Sequence, residues 1–137
     1  MGVQKDKLTE AQKKEIERLR SFVSRNRLST QMNGTKWRAA IDAIQGIEGY
    51  RASFRFRGIT DAEDPPADRW NEGFPENIPL YNSIEWLELN ARSAGAAPKD
   101  KKADVRAAIW QALEAAGIPI AESATGVRIV GYTRPGR

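Results

Sequence analysis

The sequence predicts an α+β fold: helices packed on a four-stranded, mainly antiparallel sheet, with elements in the order α-α-β-β-α-β-β. Three observations carry this. Ser83 to Leu89 reads as a strand with Ile84 and Trp86 on one face and Leu87 and Leu89 on the other, as expected in the middle of a sheet covered on both sides. Tyr50 to Arg57 alternates strictly between apolar and polar residues, the pattern of a half-buried strand. Three further stretches repeat their apolar residues at helical spacing.

The first helix is expected over about Glu10 to Arg25. Thr9 and Gln12 have the spacing of a capping box, in which each side chain satisfies a free backbone N–H of the other residue. Ala11, Ile16, Leu19, Phe22 and Val23 form a narrow stripe on an otherwise charged rod. Such a stripe suits the edge of a domain or a second copy of the chain, so residues 1–31 read as a helical extension and 32–137 as a single α+β domain. A short connector, Leu28 to Gln31, leads to a second helix. Asn33 or Thr35 caps it, Trp37, Ile41 and Ile44 share one face, and Gly46 ends it.

In the alternating strand Tyr50, Ala52, Phe54 and Phe56 face inward, while Arg51, Ser53, Arg55 and Arg57 face outward. Residues 58–82 then form a long irregular segment with six acids and one arginine, Arg69. After the central strand, Ala91 to Pro98 is a small-residue linker, and Asp100 is placed to cap a helix over Lys101 to Ala116. Val105, Ile109, Ala112, Leu113 and Ala116 form its stripe, and Gly117 and Pro119 stop it. Ile118 to Glu122 and Val127 to Thr133 are expected to pair as a hairpin.

Composition excludes much chemistry. A chain of 137 residues with 40% apolar content can bury one real core. It has no cysteine and no histidine, which removes disulfides, thiolate chemistry, the commonest general base and the commonest zinc ligand. No catalytic motif is present, and the expectation is a protein that is not an enzyme and needs no cofactor. The acids of the long loop match no calcium-loop spacing, so no metal is expected. No apolar run approaches the length of a membrane span and the first thirty residues are polar and charged, which predicts a soluble cytoplasmic protein with no membrane partner. The net charge of +4 belongs to residues 1–30, where eight Lys and Arg face four acids; the rest is balanced.

Three stretches resemble a family of small uncharacterised bacterial proteins carried on mobile, integron-type gene cassettes. They are Met32-Asn33-Gly34-Thr35-Lys36-Trp37-Arg38, Ile84-Glu85-Trp86-Leu87-Glu88 and Gly131-Tyr132-Thr133-Arg134-Pro135-Gly136, which bracket residues 32–136. The resemblance implies a cassette setting and an added N-terminal helix; it implies no activity.

The leading functional expectation is a protein-interaction module, for instance an accessory or neutralising protein of a mobile element. Its candidate surface is Arg51, Arg55 and Arg57 with Asp61, Asp64, Trp70 and Phe74 of the loop, since charged surfaces steer and select partners. The bland alternative is that loop acids and strand arginines answer each other. A second reading is a small-molecule binder with an aromatic pocket beneath the 60–82 loop, drawing on Trp37, Trp70, Trp86 and Trp110. A third is nucleic-acid binding through the basic first helix, disfavoured because Phe54 and Phe56 point away from the arginines. Glu85 and Glu88 are expected on opposite faces, and so do not form a catalytic couple. Leu19, Phe22 and Val23 suggest a homodimer through the first helix.

Overall fold

The protein is described from a computed structural model, which places residues 8–94 and 104–136. In chain order the elements are α1 (Glu10–Arg25), β1 (Ser29–Thr30), α2 (Gly34–Gln45), β2 (Phe54–Gly58), a 3-10 turn (Tyr81–Ser83), β3 (Ile84–Asn90), α3 (Arg106–Ala115), β4 (Ile120–Glu122), β5 (Gly126–Val130) and β6 (Tyr132–Thr133). The main sheet has the order β2-β3-β5-β4 with every pair antiparallel, and β1 and β6 form a separate antiparallel pair. This is the expected α+β architecture, with β3 in the middle of the sheet and Ile84 to Leu89 all buried.

The helix ends follow from the sequence. Thr9 and Gln12 form the reciprocal capping box of α1, and Asn33 Oδ1 accepts the Lys36 N–H at 2.8 Å at the start of α2. α3 begins later than its pattern suggests. Asp104 lies in an isolated bridge to Arg92, its carboxylate accepts the Arg106 N–H at 2.9 Å, and the helix starts there. Pro98, Asp100 and Lys101 lie outside the described residues.

α2 and α3 cover one face of the sheet. Trp37, Ile41 and Ile44 of α2 and Ile109 and Leu113 of α3 pack on Phe54, Leu87, Leu89, Val127 and Ile129. Each such side chain, when fully buried, contributes on the order of 1.5–3 kcal/mol, so this layer dominates the stability of the domain. Trp37, only 3% exposed, stacks on Tyr81 with ring centroids 5.5 Å apart.

The first helix packs at home. Leu19, 2% exposed, joins Leu28 and Ile59 in a second small cluster, with Phe22, Val23 and Tyr132 half-buried against it. Of the stripe that suggested self-association, Leu19 is buried in the chain's own domain, while Phe22 and Val23 are only half covered by it.

Two local features break the simple alternation. Arg57 pairs with Trp86 but Gly58 pairs with Ile84, so Glu85 is the extra residue of a β-bulge. The bulge shifts the phase of β3. Ile84 joins Leu87 and Leu89 in the core, and does not share a face with Trp86 as strict alternation requires. The second feature is Gly131, which divides the expected strand 127–133 into β5 and β6. Its N–H donates to the Glu85 carbonyl at 2.8 Å, and a Cβ there would collide with the Ile84 carbonyl oxygen. Only glycine allows that approach.

Candidate functional site: a buried arginine network and an open groove

The face of the sheet opposite α2 and α3 carries charge. Arg55, Glu88 and Arg128 are cross-strand neighbours on β2, β3 and β5. Glu88 is fully buried. Its Oε1 accepts from Arg55 Nη2 at 3.2 Å and Arg128 Nε at 2.9 Å, and its Oε2 accepts from the Thr125 hydroxyl. Burial pushes the Glu88 pKa up, but the hydrogen bonds from Thr125, Arg128 and Arg55 outweigh it and hold the carboxyl below its ordinary value.

The bulge brings Glu85 to the same side. Arg134 donates to Glu85 Oε1 through Nε at 3.1 Å and Nη2 at 2.8 Å, and also reaches the Ile59 carbonyl. Arg57 Nε lies 3.5 Å from the same oxygen without pointing at it, and is a buried nitrogen with no hydrogen-bond partner, as is Arg55 Nε. Both glutamates therefore face the arginines, which corrects the expectation of opposite faces. Each is occupied by guanidinium groups, so neither is a free acid or base.

The long loop closes over this layer. Arg57 pairs with Asp64 at 2.6 Å and donates to the Asp61 carbonyl at 3.0 Å, and the Asp61 carboxylate accepts the Gly58 N–H at 2.7 Å. Arg55 donates to the Pro66 carbonyl at 3.3 Å. Its guanidinium lies 5.3 Å from the Trp70 ring centre and 5.8 Å from that of Trp86, whose ring lies 3.8 Å from the Arg128 guanidinium. Guanidinium and indole alternate across the sheet, Trp70, Arg55, Trp86, Arg128, in cation–π contact.

This overturns the expected arginine surface. Arg55 is buried, with a side chain 9% exposed, Arg57 is mostly covered, and the loop acids answer part of their charge. Arg51 is exposed, and its backbone N–H donates to Ser93. Phe74 sets its ring edge-on against Phe54 at 6.0 Å. Together with Arg51 it borders a 450 Å³ hollow beside Glu72 and Gly73 that no tryptophan lines. Trp110 borders a different depression, near Glu122. The four tryptophans therefore do not gather beneath the loop. Among the described residues no group of three or more acids is arranged to hold a metal ion.

The larger opening lies elsewhere. A half-open groove of about 670 Å³ runs between α1 on one side and α2, the 3-10 turn and β6 on the other. Leu28, Met32 and Trp37 give it an apolar floor, and Tyr81 and Tyr132 stand in its wall. The Tyr132 hydroxyl donates to the Asn82 carbonyl at 2.9 Å; burial raises its pKa, and the nearby charge of Arg20 lowers it.

Arg20, Val23 and Ser24 line the α1 side at i, i+3 and i+4, and Arg27 joins them from just past the end of the helix. Both arginines are exposed, and among the described residues no carboxylate lies within ion-pair distance of either. Arg27 is also strained. α1 ends in a Schellman motif, with Leu28 N–H bonding the Val23 carbonyl at 3.0 Å and Arg27 N–H the Ser24 carbonyl at 3.3 Å. Arg27 occupies the left-handed position at φ 55°, where glycine is usual and another residue costs on the order of 1–2 kcal/mol. Sequence reasoning missed this groove because it arises where α1 packs beside α2, the 3-10 turn and β6, a placement that no local pattern encodes.

The chain belongs to the family of unknown function DUF6678, whose model matches residues 19–136. The match begins at Leu19, the residue through which α1 enters its buried cluster. The family carries no assigned function, so membership brings neither an activity nor the cassette setting. No curated protein and no solved structure matches the chain.

Proposed function

We propose that the protein is a cytoplasmic protein-binding module, and that its partner seats in the groove beside α1. One observation carries this: the groove is large, apolar at its floor and lined by two arginines that have no carboxylate within ion-pair distance among the described residues. The buried arginines have structural partners, which leaves the groove as the better candidate than the strand face. An open groove favours a polypeptide segment over a small molecule, because small-ligand pockets enclose most of the ligand surface. Helix-lined grooves with apolar floors are a recurring way to hold such a segment.

The test is selection of binders from a random peptide display library, repeated on a Ser24→Trp variant. Ser24 is exposed on α1 and lines the groove, so the indole fills it without touching the core. Peptides that share a pattern, bind the wild type and lose the variant support the reading. Peptides that bind both equally place the interaction elsewhere and overturn it.

A further inference from the structure

We infer that the groove selects an acidic segment, with carboxylates spaced to meet Arg20 and Arg27 and apolar residues between them; this rests on the protein-binding reading above. The groove contains two arginines and no acid among its lining residues. Arg20 lies on the last turns of α1 and Arg27 two residues past its end; the helical stretch from Arg20 to Arg25 rises roughly 7–8 Å before the left-handed turn carries the chain on to Arg27. An extended segment rises about 3.3 Å per residue, so carboxylates about three residues apart span a comparable stretch. Guanidinium binds carboxylate with two parallel hydrogen bonds, which fixes register as well as charge. Between the arginines the floor edged by Leu28, Met32 and Trp37, which are 8%, 6% and 3% exposed, gives the intervening side chains a shallow apolar contact.

The strained backbone at Arg27 is an independent observation. The Schellman turn points an arginine into the groove from the one position where glycine would relax the chain. Single-stranded nucleic acid fits less well. Base stacking needs exposed aromatic faces, and Trp37 is buried against Tyr81 while the Tyr132 hydroxyl is tied to Asn82.

Fluorescence anisotropy tests this with three short labelled probes: a peptide with glutamates separated by two leucines, its lysine counterpart, and an oligothymidylate. The expected result is that the wild type binds the glutamate peptide best, more weakly as salt rises. Binding then weakens about tenfold in Arg20→Gln/Arg27→Gln and in Arg27→Gly. Equal binding of the lysine peptide, or tighter binding of the oligothymidylate, overturns the inference. If the glutamate peptide fails while display-selected peptides still bind and are blocked by Ser24→Trp, the acidic preference is wrong and the groove stands. If no peptide binds at all, both fall.

Discussion

Arg55, Arg57, Arg128 and Arg134 on the sheet, and Arg20 and Arg27 in the groove, carry the same group in opposite circumstances. The first four are wholly or largely buried, and each has a carboxylate within 3.5 Å. The last two are exposed, with no such partner among the described residues. A guanidinium taken out of water must be matched, since the desolvation cost is several kcal/mol per ion. One left in water needs no match, and remains free to meet a partner's carboxylate. The comparison teaches that an arginine-rich strand points to a binding surface only when nothing in the same chain covers it.

The largest way to break the contrast is Glu88→Gln. The substitution keeps the shape but removes the charge that Arg55 and Arg128 share, leaving buried cations underpaired. Urea unfolding is expected to show a loss of about 3–5 kcal/mol, with the midpoint falling at unchanged slope. A loss below about 1 kcal/mol would mean that the network is incidental to stability. The same site sets an acid dependence. Because the folded-state pKa of Glu88 is lowered, its contribution is fully present above the unfolded carboxylate pKa, near 4.5, and is lost as pH falls through the lower folded value. In Glu88→Gln that part of the acid loss disappears, which a pH series of unfolding curves reads directly.

A middle-sized effect is expected at Arg128, which holds one hydrogen bond to Glu88 and lies over Trp86. Arg128→Met keeps much of the packing volume and removes both interactions. The expected cost is about 2 kcal/mol, from one charge-assisted hydrogen bond and one partly desolvated cation–π contact. Glu88 retains Arg55 and Thr125, so the loss stays below that of Glu88→Gln. If the order of the two variants reverses, Glu88 is not the centre of the network.

How far the sequence reveals this contrast differs between its two halves. The bounds of α1, its capping box, the cap of α2 and the central place of β3 were all legible, because each rests on local chemistry or on a run of six buried residues. The alternation of β2 correctly assigned Arg55 and Arg57 to the face away from Phe54 and Phe56. It did not say what lies over that face. That depends on where the loop through Asp64, Pro66 and Trp70 folds back, which no local pattern encodes. Nor does alternation announce a bulge; Glu85 changes the phase of β3, and on its other side the backbone of Gly131 comes close to it. One signal was available and points the right way: two glutamates in an otherwise apolar central strand need buried cations, and the neighbouring strand offered arginines.

The smallest effect has the opposite sign and lies in the groove. Arg20→Gln removes an exposed charge that has no carboxylate within ion-pair distance among the described residues, and is expected to leave stability within about 0.5 kcal/mol. Arg27→Gly relieves the left-handed strain at the C-terminus of α1. Against the greater freedom of glycine in the unfolded chain, the net gain is about 0.5–1 kcal/mol. Thermal unfolding then shows a rise of a few degrees in Tm for Arg27→Gly and no change for Arg20→Gln. A stabilising substitution that weakens partner binding is what a groove-lining residue held at a structural cost must produce. A destabilised Arg27→Gly would show instead that the side chain supports the turn, and the contrast between matched and unmatched arginines would lose one of its two groove members.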